Sequence, residues 1–227
     1  METDVNMSIA EHIKEIKNEL PSAVRLVAVS KFHPSEVIRE AYGAGQRIFG
    51  ESRPQELYKK VGELPSDIEW HFIGHLQSNK LKFVLPYVSL IHSVDSKKLF
   101  YEIIRYAADN NLNIKLLLEV HIAMEESKQG FSKQELLELL EQVSINPPSG
   151  VDICGLMGMA SFVEDYEQIR REFKGLVSLF SLVKERYGSI FPDFKELSMG
   201  MSNDYRIAVE CGSTMIRIGS RIFGARV

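Results

Sequence analysis

The stretch RLVAVSKFHPSEV, residues 25–37, decides how the chain is read. Its first half, Leu26-Val27-Ala28-Val29-Ser30, is short, valine-rich and bounded by Pro21 and Pro34, which marks a buried strand. Side chains alternate faces along a strand, so Lys31 lies on the side of Val27 and Val29. Two roles fit such a lysine. It can end the strand and snorkel its ammonium to water, or it can stand partly desolvated at the strand's C-terminal mouth as an amine nucleophile. The segment after the strand also matters. An open doubly wound sheet normally carries a glycine-rich turn behind its first strand, and KFHPSE contains no glycine.

Working outward, strand-like runs recur at 26–30, 47–50, 69–73, 90–94, 115–120, 152–157, 195–199 and 215–219. Helical patterns fall between them at 35–44, 54–64, 79–85, 97–110, 133–143, 166–187 and 204–210, and one more precedes them at 9–20. Strict alternation means parallel strands joined by right-handed crossovers. Eight units in 227 residues leave about 28 residues each, the length of a closed barrel repeat. The expected architecture is a single-domain α/β (β/α)8 TIM barrel over residues 1–227, with an extra N-terminal helix.

Composition narrows the function classes. The chain is 44% hydrophobic and 26% charged, as soluble globular proteins are, and its net charge of -4 gives no footprint for nucleic acid. No apolar run approaches the roughly 18 residues of a membrane span, and no leader pattern opens the chain. Cys154 and Cys211 are isolated, forming neither a disulfide framework nor a zinc site, so a reducing cytoplasm is expected.

Barrel enzymes gather their chemistry at the C-terminal strand ends. After the seventh strand, LSMGMSND offers Ser198, Met199, Gly200, Met201 and Ser202, the last a candidate N-cap. After the eighth, RIGSRIFG places Gly219 and Ser220 directly behind the strand. Small residues on these neighbouring strands suit a phosphate cup built from backbone amides. Alternation turns Arg217 into the barrel with Met215, so its guanidinium needs an acceptor. Either an inward carboxylate such as Glu51 or Glu119 supplies one, or a ligand does. His71 and His75 on an extended run do not form a helical metal pair. Asp95, Glu119 and His121 are weaker acid–base candidates, and the methionines Met157, Met159, Met199 and Met201 suit filling the barrel or walling its pocket. An amine, a phosphate cup and an inward arginine together suggest a phosphorylated carbonyl compound held as a Schiff base on Lys31.

The segments VAVSKFHP, FGESRPQE, HFIGHLQSNK, HSVDS, EESKQGF, GLMGMA and LSMGMSNDYRIAVECGSTMIRIGSRIFG carry a resemblance. Running from Val27 to Gly224, the chain resembles the pyridoxal 5'-phosphate (PLP) homeostasis protein family, which has the alanine-racemase-like barrel. The resemblance implies PLP bound to Lys31 as an internal aldimine. Its phosphate is expected at Gly219-Ser220 and the 198–201 loop (Ser198, Met199, Met201), with Arg217 at the ring nitrogen and Ser52 and His75 as further contacts. Ser52 stands where the family usually has asparagine. The implied function is buffering and delivery of PLP, without strong turnover, by a cytoplasmic monomer that meets apo PLP-dependent enzymes transiently. A permanent cation at the ring nitrogen makes the ring a poorer electron sink, which agrees with that role. The alternative is an amino-acid racemase of the alanine racemase type, although no counterpart of its tyrosine base or C-terminal β-domain is identifiable. A third reading, from the residues alone, is a lysine-dependent aldolase acting on a sugar phosphate.

Overall fold

The structure is a computed structural model, and it describes residues 7–124 and 129–224. Most of the run EESKQGF (125–128 of it) therefore lies outside the described residues. Helix α1 (Ile9–Glu19) opens on a capping box in which Ser8 and Glu11 satisfy each other's backbone amides. The chain then alternates through β1 (Arg25–Val29), α2 (Ser35–Gly43), β2 (Ile48–Glu51), α3 (Pro54–Glu63), β3 (Glu69–Phe72), β4 (Leu90–Val94) and α4 (Lys97–Asn110). It continues through β5 (Ile114–Val120), α5 (Lys133–Ile145), β6 (Val151–Gly158), α6 (Tyr166–Tyr187), β7 (Glu196–Ser198), α7 (Tyr205–Cys211), β8 (Met215–Ile218) and α8 (Ser220–Phe223). All pairings are parallel, and β8 closes on β1 with Val27 opposite Arg217.

The barrel and its N-terminal helix are as the sequence predicts. Two elements differ. The helix expected at 79–85 is instead a pair of 3-10 turns, Ser78–Phe83 and Leu85–Tyr87, because Pro86 removes a donor and the segment is too short to stabilise an α-helix. Behind β8, where the sequence pattern gives no helix, Ser220 opens a one-turn helix, α8.

Two apolar layers form. Val27, Leu90, Leu117, Cys154, Met157 and Met215 fill the barrel, while the far larger cluster, including Ala28, Phe49, Leu116 and Ile216, lies between strands and helices. Alternation along each strand sorts residues into these layers. At the N-terminal end of the barrel a cleft of about 370 Å³ is lined by Lys17, Arg25 and Arg47. Each cation already has a partner there: Arg25 pairs with Glu196 at 2.8 Å, Arg47 with Asp67 at 3.2 Å, and Lys17 donates to the Gly45 carbonyl at 3.3 Å. Chemistry is left to the other end. Among the described residues no helix is long and apolar enough to cross a membrane, and no cluster of metal-ligating side chains forms.

Candidate functional site

Strand β1 delivers the lysine as alternation requires. Val27 points into the barrel, Ala28 points out, and Val29 and Lys31 line a cavity of about 180 Å³ at the C-terminal mouth. That is below the roughly 300 Å³ at which drug-sized pockets begin, so the cavity suits one small ligand. Lys31 is half-buried. Immediately after it the chain turns through Phe32, held at φ +70°, where a bulky residue is strained.

The register Val27–Arg217 carries through to the mouth, bringing Gly219 beside Val29. A Cβ on Gly219 would stand 3.2 Å from the Val29 carbonyl oxygen, so the eighth strand end is a cradle a side chain would crowd. Ser52 enters at the end of β2, and Gly74 lets the third strand end approach it: a Cβ there would come within 2.2 Å of the Ser52 carbonyl oxygen.

Of the residues the sequence singles out, Lys31, Ser52, Met201, Arg217, Gly219 and Ser220 share this cavity wall. Ser198 is fully buried just behind Arg217. Ser198 thus does not reach the wall, and two further expected contacts lie away from it. Met199 belongs to the outer layer between strands and helices; its amide serves the Met215 carbonyl and its carbonyl accepts from Ser213. Neither its side chain nor its amide is therefore offered to a ligand. The His75 side chain is half-exposed, bonded to Asp95 at 3.1 Å, and is not part of the wall. Ser202 does not cap α7, whose N-cap is Asp204; instead it lines the cavity and accepts the Gly219 amide at 3.4 Å. Met159, one of the methionines the sequence offers for the barrel or the pocket wall, lines the cavity too, and His33 and Ile73 join it unforeseen.

Arg217 does not form the ion pair that one of the two expectations gave it. Glu51 faces the helix layer and pairs with Lys60, and among the described residues Arg217 makes no ion pair. Its guanidinium donates to Ser198 Oγ at 2.6 Å and to the Gly158 carbonyl at 3.3 Å, using two of its five N–H groups. The bond continues as a relay: Ser198 Oγ lies 3.0 Å from His92 Nδ1, and His92 Nε2 lies 2.9 Å from His71 Nδ1. Arginine can only donate, so Ser198 Oγ accepts from it, and one assignment gives every member of the chain a partner: Ser198 donates its hydroxyl to His92 Nδ1. His92 then carries its proton on Nε2 and donates to His71 Nδ1, which places the proton of His71 on Nε2 as well.

Burial sets the charges. It lowers the Arg217 pKa to about 10, leaving a cation at neutral pH. Burial, then the neighbouring Asp95, pushes the inward Glu119 carboxyl up to about 7 against the pull of Arg217. Burial also holds His71 down to about 3 and His92 well below its ordinary value, so both rings are neutral. A buried cation without an ion pair, facing a cleft, is a mark of a ligand site.

The histidines predict a pH dependence. His71 titrates near 6.5 unfolded and about 3 folded, so its contribution to stability is complete above 6.5 and is lost as pH falls toward 3. Glu51 and Glu119, raised from 4.5 to about 7, act oppositely: their contribution is complete below 4.5 and fades as pH rises toward 7. The two effects offset between 4.5 and 6.5; below 4.5 the histidine loss continues, at about 1.4 kcal/mol per pH unit for His71. There the hydrogen-bonded carboxylates Glu11, Glu19, Asp67, Glu135 and Glu138, held below their ordinary range, begin to lose their contributions as well. Urea unfolding at stepped pH should show a near-flat stability that drops steeply below 4.5, and His71→Gln should shallow that drop by one proton. An unchanged slope in the variant would contradict the neutral relay.

Comparison with known proteins identifies the family. The family described as "Alanine racemase, N-terminal domain" matches residues 7–227. The Pyridoxal phosphate homeostasis protein of Aquifex aeolicus is 41% identical, with 90% of this chain covering 88% of that protein. PipY of Synechococcus elongatus has been solved without PLP (TM-score 0.89, 38% identity) and with PLP bound (TM-score 0.86, 37% identity); both matches cover 96% of this chain and all of PipY. Alanine racemase of Corynebacterium glutamicum shares only the fold, at 14% identity and TM-score 0.77, with 96% of this chain covering 61% of it. On the family match and on relatives this close, the chain belongs to the pyridoxal phosphate homeostasis protein family, built on the alanine racemase N-terminal barrel.

Proposed function

We propose that this chain binds PLP at the barrel mouth, with Lys31 as its covalent anchor, and serves to hold and hand over the cofactor without strong turnover of its own. The observation that carries the proposal is one small cavity walled by a half-buried lysine, a buried arginine that makes no ion pair among the described residues, and the Gly219-Ser220 strand end. The donor set fits the group. An amine suits an aldehyde, the hydroxyls of Ser202 and Ser220 and the first-turn amides of α8 suit a phosphate, and Arg217 suits a ring nitrogen. When bound, PLP supplies an aldehyde that condenses with an amine and releases water.

The remaining chemistry belongs to the chain. Arg217 holds a permanent positive charge in the barrel and so disfavours protonation of whatever basic nitrogen it meets. Two neutral histidines behind it cannot supply a proton near pH 7, and no carboxylate is within ion-pair distance of it among the described residues. This arrangement suits holding better than carbanion chemistry. A cavity open at the mouth admits exchange with another amine, whereas catalysis profits from water exclusion. We place the protein in the cytoplasm as a monomer meeting apo PLP-dependent enzymes transiently; its two cysteines are free thiols.

The test mixes PLP-loaded protein with an apo PLP enzyme and follows recovery of that enzyme's activity, beside racemase assays on alanine and other amino acids. Recovery with racemisation at the background of free PLP is the expected result. Saturable racemisation that disappears in Lys31→Ala would replace this reading with the racemase one.

A further inference from the structure

Behind the cavity, on the outer face of the sheet, lies a cluster of charge that the binding role does not use. Lys60 of α3 is buried, with 5% of its side chain exposed. Its ammonium makes three bonds: to the Ser30 carbonyl at 2.8 Å, to Glu51 Oε1 at 2.7 Å and to Glu56 Oε1 at 2.6 Å. That exhausts the three donors of a lysine. Glu51 is wholly buried, accepts Ser30 Oγ at 2.6 Å through the same oxygen, and leaves its Oε2 without a hydrogen-bond partner. Glu56 reaches the other side of the turn and accepts the Phe32 amide at 2.6 Å.

Three of these bonds end on residues 30 and 32, the neighbours of Lys31. The Ser30 carbonyl belongs to the peptide unit just before Lys31, and the Phe32 amide to the one just after it. Both peptide units that flank the lysine are therefore tied to one ammonium, one directly and one through Glu56. The tie coincides with backbone strain, since Phe32 sits at φ +70°, a conformation costing of the order of 1–3 kcal/mol for a bulky residue unless its surroundings impose it. Burying an ion triad only to fold the chain is a poor stabiliser, because desolvation consumes most of the Coulombic gain. Burial pushes the Glu51 carboxyl up to about 7 even with Lys60 beside it, so that cost is visible here.

We propose that Lys60 is a positioning residue for Lys31. With Glu51 and Glu56 it imposes the strained 30–32 turn, and that turn aims the Lys31 amine into the mouth of the barrel. Lys60 does not touch the ligand: its three protons are committed on the far side of the sheet. This inference rests on the reading of Lys31 as the covalent anchor and adds what holds that anchor in place.

A positioning role separates aldehyde capture from the rest of binding. Pyridoxine 5'-phosphate has the ring and phosphate of PLP but no aldehyde, so it reports on the cavity alone. Lys60→Met should lower the rate and yield of borohydride-trapped PLP on Lys31 by tenfold or more, with pyridoxine 5'-phosphate affinity kept within about twofold. Glu56→Ala, at a position whose side chain is 20% exposed and less needed for folding, should lower capture about threefold by releasing the Phe32 amide. Adding Phe32→Gly to Lys60→Met should restore part of the capture rate, because glycine adopts positive φ without strain.

Capture unchanged in a folded Lys60→Met overturns the inference while Lys31 stands. Equal loss of PLP and pyridoxine 5'-phosphate also overturns it, since that is general loosening. If Lys60→Met does not fold, the same two ligands measured on Glu56→Ala decide. Failure of the parent protein to trap PLP on Lys31 would instead sink the reading of the anchor, and is told apart by peptide mapping of the parent alone.

Discussion

Lys31→Ala should abolish covalent retention of PLP. Borohydride reduction of the loaded parent is expected to tag one peptide, the one containing Lys31, and the variant should yield no tag and no visible absorption band. Retention through gel filtration should weaken by at least about 100-fold, equivalent to about 2.8 kcal/mol. The fold should barely notice. Lys31 is half-buried at a strand mouth, and such a substitution costs about 0.5 kcal/mol, or about 1–2 °C in Tm for a chain of this size. Lys60 is the informative control, because it is buried and its ammonium is fully bonded. A tag on Lys60 or any other lysine would remove Lys31 from the role.

Arg217→Met should change the cofactor rather than release it. The substitution leaves the Gly158 carbonyl and Ser198 Oγ without their donor, at roughly 1–3 kcal/mol for each buried group left unpaired. It also removes the positive charge that disfavours protonation of a nearby nitrogen, so the pH midpoint of the bound chromophore should move upward. Glu119 reports the same event from the protein side. Arg217 pulls its carboxyl down, so loss of the arginine should raise the Glu119 pKa further above about 7. Identical absorption-versus-pH curves for parent and variant would show that Arg217 does not meet the ring nitrogen. The buried relay to His92 and His71 would then be its whole purpose.

Local rules made much of this molecule readable. Valine-rich runs at regular spacing, with helical patterns between them, required a parallel alternating fold, and strand alternation alone turned Lys31 and Arg217 toward one interior. Glycine and serine after the seventh and eighth strands marked where an anion could be cradled. These are properties of period and residue type, which survive without knowledge of distant neighbours. Other features were not legible, for reasons of the same kind. Met199 and Met201 are two apart and would share a face on a regular strand. However, β7 stops at Ser198 and Gly200 takes φ +97°, so only Met201 reaches the cavity. Glu51 reads as an inward carboxylate only if the phase of β2 is mistaken. Gly50 is the residue that faces the interior, against Val27, and Glu51 is turned to α3.

The sequence by itself determined the strand count, the alternating barrel and the place of Lys31 at a strand's C-terminal mouth, because these follow from residue period and from the regular spacing of eight repeats. Only the tertiary structure decided which groups meet behind the cavity. His71, His92, Ser198 and Arg217 come from β3, β4, β7 and β8 and meet only when the sheet closes. Lys60 meets the turn at residues 30–32 only when α3 packs on the outer face of the sheet. Burial then gives those meetings their chemistry, since it is desolvation inside the closed barrel that keeps two histidines neutral beside an arginine that stays charged.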